Sequence, residues 1–361
     1  MKDLNEKFDL SKKLSDKRLR QFATILLGIQ EKLDFKVSSR GWAYQLEQLR
    51  WINKDQFDKV EEAINTARKR GYLPVDFVAE EAARQFSGVE IPSTGEPRDI
   101  VPRFLHGIID GWRYFTPEWW EGEEYYIQVV VEKIDLKTLF EPVCHSFHIP
   151  IANSKGWSSV LQRAEYARRF KQAEDMGLKC VLLYCGDHDP DGLRISDTLR
   201  KNLSDLSDIV WGDGTLGYNP ENLIVDRFGL NLDFINENKL TWIDNLITGS
   251  GKDLNDPKHP NYDLAYLKEY KKAIGIRKCE ANAIVVIPEA AREMMRQVIL
   301  SYLGDDAPDR FRAKVLEVRT AYDKFIEESG LGNSVRAALK LFDSKNIAED
   351  DSNDDSTLPS E

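Results

Sequence analysis

Long apolar runs are missing from this chain of 361 residues. No stretch reaches the roughly 18 apolar residues that a membrane-crossing helix needs, so no membrane partner is expected. The opening Met1-Lys2-Asp3-Leu4-Asn5 lacks the apolar core of a signal segment, and a cytoplasmic location is the expectation. Cysteine is scarce: Cys144, Cys180, Cys185 and Cys279 lie scattered, with no Cys-x-x-Cys pair. That spacing argues against structural zinc and a disulfide framework, and it fits a reducing compartment. A nucleotide-phosphate loop is absent too. Thr248-Gly249-Ser250-Gly251-Lys252-Asp253 resembles one briefly, but Leu246 stands where its first glycine belongs and Asp253 replaces the hydroxyl residue. No internal repeat is found.

An excess of positive charge is also lacking. The net charge of −11 argues weakly against nucleic-acid binding. Much of it is local, however: Glu349, Asp350, Asp351, Asp354, Asp355 and Glu361 follow Ile347 with no base between them. Residues 346–361, rich in Ser, Asp and Asn, read as a disordered acidic tail. Bases cluster elsewhere, at Lys12, Lys13, Lys17, Arg18 and Arg20, at Arg68-Lys69-Arg70, and at Arg168-Arg169. Each cluster taken alone reads as a solvated helix face.

Leu19, Phe22, Leu26, Ile29 and Leu33 recur at three- and four-residue steps, one face of a first helix. Ser38-Ser39 offers an N-cap for a second over 40–50. A third spans 55–70 and stops at Gly71, after which Tyr72-Leu73-Pro74-Val75 fits a short strand or wing. Residues 1–90 are therefore expected to form a winged-helix-like helical domain that binds DNA, or else a small bundle used for dimerisation. Residues 91–124 read as a linker, opened by Ile91-Pro92-Ser93-Thr94-Gly95-Glu96-Pro97. Its aromatics, Trp112, Tyr114, Phe115, Trp119 and Trp120, suit packing between domains better than base stacking.

From residue 125 the pattern becomes α/β. Strands over 127–131, 149–153 and 180–184 alternate with helices over 136–147 and 158–176. This βαβαβ order predicts a parallel sheet with right-handed crossovers, a domain reaching residue 304. Pro288 is placed to start a helix that Gly304 ends. C-terminal helices are expected over 305–345, one of them over 309–329. The expected fold class is α/β: a helical N-terminal domain, then a parallel-sheet domain with a helical C-terminal extension.

Acids gather at the carboxyl ends of two strands. Ile127-Gln128-Val129-Val130-Val131 ends in Glu132, and Cys180-Val181-Leu182-Leu183-Tyr184 opens into Gly186-Asp187-His188-Asp189-Pro190-Asp191-Gly192. In extended chain Asp187 and Asp189 share a face while His188 points away. Such a set suits Mg²⁺, a hard cation that takes one or two carboxylates and phosphate oxygens. Asp191 is a further candidate ligand or a solvated acid. His188 is not expected to be a ligand, because imidazole prefers softer metals.

The pattern of a strand ending in Glu and a later strand ending in Asp-x-Asp resembles the Toprim domain. Asn153-Ser154-Lys155-Gly156-Trp157-Ser158-Ser159 takes the place of that domain's middle strand and loop, with Lys155 a further candidate site residue. Toprim serves topoisomerases, primases, recombination proteins and nucleases, and does not choose a reaction by itself.

The N-terminal module narrows the choice. In Ser38-Ser39-Arg40-Gly41-Trp42-Ala43-Tyr44, helical periodicity places Trp42, Leu46 and Leu49 on the core face. Arg40 and Tyr44 then fall on the opposite, exposed face. A tyrosine beside an arginine suits attack on a phosphodiester, since the guanidinium can hold the phosphate and stabilise developing charge. Arg-x-x-x-Tyr followed by Toprim is similar to the topoisomerase VI A subunit and its meiotic double-strand-break relatives, the type IIB family. Lys278-Cys279-Glu280-Ala281-Asn282-Ala283 is similar to a late segment of that family. Many members carry two adjacent tyrosines; here Ala43 replaces the first.

The resemblance implies a dimer acting on duplex DNA, with Tyr44 as nucleophile, Arg40 as phosphate clamp, and Glu132, Asp187 and Asp189 holding Mg²⁺. It implies that the acids serve the tyrosine of the partner protomer, that cleavage leaves a 5′-phosphotyrosyl link open to rejoining, and that a separate ATPase subunit supplies energy. The small stand-alone A-like proteins of bacteria and mobile elements are a further point of similarity. A nucleoid-associated location is implied as well. Two other readings stand beside it: a hydrolytic Toprim nuclease in a phage, plasmid or defence setting, and a non-catalytic DNA-binding partner in a larger complex.

Overall fold

A computed structural model of the chain describes residues 15–79, 96–154, 160–215, 217–248 and 251–351. These residues divide between two compact units, one of Met1–Arg84 with Gly122–Asp305, the other of Gln85–Glu121 with Asp306–Glu361.

The first unit is built on a parallel sheet. β1 (Tyr125–Val131), β2 (Ile151–Asn153), β3 (Lys179–Cys185) and β4 (Ile224–Arg227) lie in the order β2-β1-β3-β4, every pairing parallel. β1, broken only by the buried Gln128, and β3 are largely apolar because helices cover both faces of the sheet. α5 (Ile134–Ser146) joins β1 to β2, and it shares one face with α10 (Pro288–Leu303). α6 (Val160–Asp175) and α7 (Ile195–Ser204) join the remaining strands across the other face. Two shorter helices, α8 (Leu232–Glu237) and α9 (Ala265–Ala273), lie between β4 and α10 along the chain. The chain moves from β1 to β2 in one direction and from β2 to β3 and β4 in the other. Right-handed crossovers therefore fall on opposite faces. The reversal lies between β1 and β3, where open α/β sheets bind ligands outside the strand ends. As the sequence predicts, α10 begins at Pro288 and stops before Gly304, whose φ of 83° suits glycine.

Three N-terminal helices belong to the same unit: α1 (Asp16–Gln30), α2 (Ser39–Gln48) and α3 (Phe57–Lys69). Trp42 is fully buried and stacks on Phe77 with ring centroids 5.1 Å apart. No wing is found among the described residues. Tyr72-Leu73-Pro74-Val75 forms turns, since Leu73 is buried and its neighbours have no strand to pair with. Helix α2 is instead docked on the sheet region. The Ser38 N–H and hydroxyl donate to the two Asp135 carboxylate oxygens at 2.8 and 3.0 Å. A side chain at Gly41 would collide with that same carboxylate. At the far end, Gln48 Oε1 accepts the Thr241 N–H at 3.2 Å.

The second unit holds α4 (Ile100–Ile109), α11 (Ala307–Glu328) and α12 (Leu331–Asp351). The expected linker over 91–124 is thus corrected in part, because its apolar Ile100-Val101-Pro102-Arg103-Phe104 stretch winds into a helix. Residues 91–95 lie outside those described. Trp119 and Trp120 pack edge-on against Phe311, and the Lys314 ammonium donates to the Trp119 and Glu121 carbonyls at 2.6 Å each. Helix α12 continues through residues 346–351 of the expected tail, and 352–361 lie outside the described residues. No helix among the described residues is long and apolar enough to cross a membrane.

Candidate active site

The register of the central strands sets up the acidic site. Val131 pairs with Cys185, so β1 and β3 end level, and the Glu132 N–H continues the ladder to the Cys185 carbonyl at 2.9 Å. Glu132 and Asp187 consequently emerge side by side. Glu132 Oε2 accepts the Asp187 N–H at 2.8 Å, and Asp187 Oδ1 accepts the Ala281 N–H at 2.7 Å.

Between them lies Lys133. Its ammonium is 2.7 Å from Glu132 Oε1 and 3.3 Å from Asp187 Oδ2. Burial works against ionisation of Glu132, but the Lys133 charge and hydrogen bond outweigh it and hold the carboxyl below its ordinary value. At Asp187 burial dominates and the carboxyl is raised.

The rest of the acidic loop turns to other partners. Asp189 Oδ1 accepts the Gly192 N–H at 2.6 Å, closing the turn, and burial raises its carboxyl. Gly192 has no room for a side chain, which would meet the Asp187 carbonyl. Asp191 is exposed and accepts from the Tyr266 hydroxyl at 3.0 Å. His188 points away from the acids into the core, with Nδ1 against the Leu230 carbonyl. Its backbone bridges Cys279 in both directions, at 2.8 and 3.1 Å, and so brings Lys278-Cys279-Glu280 beside the acidic loop. Lys278 and Glu280 are both buried and pair at 3.3 Å.

Tyr44 reaches this site from helix α2. Its ring meets Phe57 edge-on at 4.8 Å and is only 8% exposed. The Glu280 carboxylate is the largest charge influence on the phenol. Burial first, then the Glu280 charge, push the phenol well above its ordinary value; Lys133 pulls the other way and Asp187 adds to the rise. The expected exposed position of Tyr44 is corrected. Helix α2 is enclosed by α3 on one side and by the turn Ala281–Val286 on another, so its Tyr44 face is covered. Leu49, expected in the core, is 44% exposed because it falls just past the helix end. Arg40 is half-exposed. Its Nη1 pairs with Glu61 at 2.9 Å and Asp58 at 3.3 Å, while its guanidinium lies 5.0 Å from the Phe57 ring centroid. Arg40 and Tyr44 thus both pack on Phe57, and the expected clamp is engaged by α3 carboxylates.

Lys133, Glu280 and Tyr184 complete the surroundings without having been singled out from sequence. Tyr184 donates to Glu132 Oε2 at 3.5 Å. Lys133 follows a strand-end acid directly, which was the available signal. Glu280 lies in a segment whose place beside the acids depends on the His188–Cys279 bridge. Lys155 lies outside the described residues.

Among the described residues, no group of three or more His, Cys, Asp or Glu side chains converges as a ready metal cage. The three-acid cage expected from sequence is not assembled, because Asp189 serves its own turn. Glu132 and Asp187 still offer hard oxygen donors about a position already held by a cationic nitrogen. That number and chemistry fit Mg²⁺, which needs few protein ligands. Comparisons with protein-family models, curated proteins and solved structures return no match.

Proposed function

We propose that the chain cleaves DNA strands in a Mg²⁺-dependent reaction, with Tyr44 as nucleophile. The observation that supports this is the meeting of two features read independently from sequence. A tyrosine from the N-terminal helices lies within electrostatic reach of Glu280, Lys133 and Asp187, where an acid pair from two strand ends meets. The resemblance to the type IIB topoisomerase A family supports it as well.

In this reading Glu132 and Asp187 would hold the metal, at the position where the Lys133 ammonium now lies. Bound Mg²⁺ would polarise the phosphodiester and offset charge on the leaving oxygen. Tyr44 Oη forms the bond to phosphorus and its proton passes to Glu280. The 3′ oxygen leaves with its electron pair and is protonated by water. The phosphotyrosyl bond retains the phosphodiester energy, so the step can run backwards. Burial of Tyr44 favours one alternative, a nuclease in which water attacks and the tyrosine is structural.

Incubation with internally labelled supercoiled DNA and Mg²⁺, followed by denaturing electrophoresis with and without protease, separates the two. Transesterification predicts label comigrating with the polypeptide and its complete loss in Tyr44→Phe. Free 5′-phosphate ends that persist in Tyr44→Phe would establish hydrolysis instead.

A further inference from the structure

Beside the acidic site, on the α6 and α7 face of the sheet, lies a cavity of about 350 Å³. Ser154 lines it after β2, Arg163 on α6, Tyr184 near the end of β3, and Ile195, Thr198 and Asn202 along one face of α7. Two contacts join it to Glu132. The Ser154 hydroxyl donates to the Glu132 carbonyl at 3.4 Å, and the Tyr184 hydroxyl to its carboxylate at 3.5 Å.

Arg163 is the cation in this lining. Its Nη1 caps the Asn202 carbonyl at 3.3 Å, near the end of α7. Its Nε is sealed from solvent with no hydrogen-bond acceptor, and no carboxylate pairs with it among the described residues. Arg168, further along α6, pairs with Asp213 at 2.7 Å. A half-buried guanidinium with no carboxylate partner among the described residues, opening on a cavity with three hydroxyls and an amide, is matched to a tetrahedral oxyanion.

We propose that this cavity is a phosphate subsite, in which Arg163 with Thr198 and Ser154 takes a phosphate group of a nucleic-acid strand or a nucleotide. Its place beside Glu132 suits the phosphate next to the scissile one, an assignment that rests on the proposed cleavage reaction.

Two probes test it: thymidine 3′,5′-bisphosphate by calorimetry, and a fluorescent duplex oligonucleotide by anisotropy in EDTA, where metal-dependent cutting is suppressed. Arg163→Met and Thr198→Glu are each expected to weaken the bisphosphate roughly tenfold or more, with Arg163→Lys in between. Thr198 is exposed, so Thr198→Glu tests the site without disturbing the packing of Arg163. Unchanged bisphosphate affinity in both Arg163→Met and Thr198→Glu overturns the subsite, even if the wild type cleaves DNA. Arg163-dependent bisphosphate binding by a wild type that neither binds nor cuts the duplex upholds the subsite as a nucleotide site and removes the cleavage reading. Parallel losses for both probes uphold the strand assignment.

Discussion

Lys133 is the residue on which the resting charge of the site turns. Its ammonium bridges Glu132 and Asp187, so two neighbouring carboxylates are tolerated with a single positive charge between them. Replacing it by the similarly shaped Met leaves the acids unscreened. Lys133→Met is expected to lower metal-free stability by about 1–3 kcal/mol, the range for removing one member of a partly buried ion pair. The same change takes away a competitor, so Mg²⁺ should bind more tightly and restore the lost stability through linkage. Thermal melts with and without Mg²⁺, alongside calorimetric titration, check both effects. A variant as stable as the wild type in EDTA and no tighter for Mg²⁺ would show that the bridge carries no weight.

Among the elements, helix α2 decides where the tyrosine sits. It is fixed at its start by Ser38 on Asp135, and burial raises the Asp135 carboxyl while the Ser38 bonds oppose the rise. A carboxyl raised on folding binds its proton more tightly in the folded state than in the unfolded chain. Stability contributed by this group is therefore greatest at low pH, and it falls as pH climbs from the ordinary Asp value of about 3.9 through the raised one. Asp135→Asn keeps an acceptor for the Ser38 N–H and has no charge to desolvate. It should remain within about 1 kcal/mol of the wild type at neutral pH and lose that slope. Asp135→Ala orphans both Ser38 donors and should cost about 1–3 kcal/mol. Urea unfolding across the acid range measures all three proteins.

Much of the element pattern was legible in sequence. The apolar runs of β1 and β3, Pro288 opening α10 and Gly304 closing it all act through local chain preferences. The orientation of Tyr44 was not legible, because periodicity assigns a residue to a helix face but does not say what covers that face. The cover here is the turn Ala281–Val286, more than two hundred residues away along the chain. For the same reason Lys133 and Glu280 could not be weighed as partners of the tyrosine before the strands were brought level. The helix over Ile100–Ile109 escaped notice because its surrounding aromatics and prolines resemble a connecting segment.

For the whole molecule, the issue is which chain's acids serve which tyrosine. The type IIB resemblance implies that a partner protomer supplies them. In this fold Tyr44 lies within electrostatic reach of Glu280, Lys133 and Asp187 of its own chain, and all belong to one compact unit. A mixture of Tyr44→Phe and Asp187→Ala proteins is accordingly expected to remain inactive, because each chain lacks one half of its own site. Recovery of covalent cleavage toward a quarter to a half of the wild-type level would establish exchange between chains.

Docking of α2 through Ser38 and Gln48 also bears on the fate of a severed strand. Were Tyr44 to carry a broken end, that end would be held in the same compact unit as Glu132 and Asp187. Resealing would then require no journey, and any parting of the duplex would have to be driven from the free end rather than from the captured one.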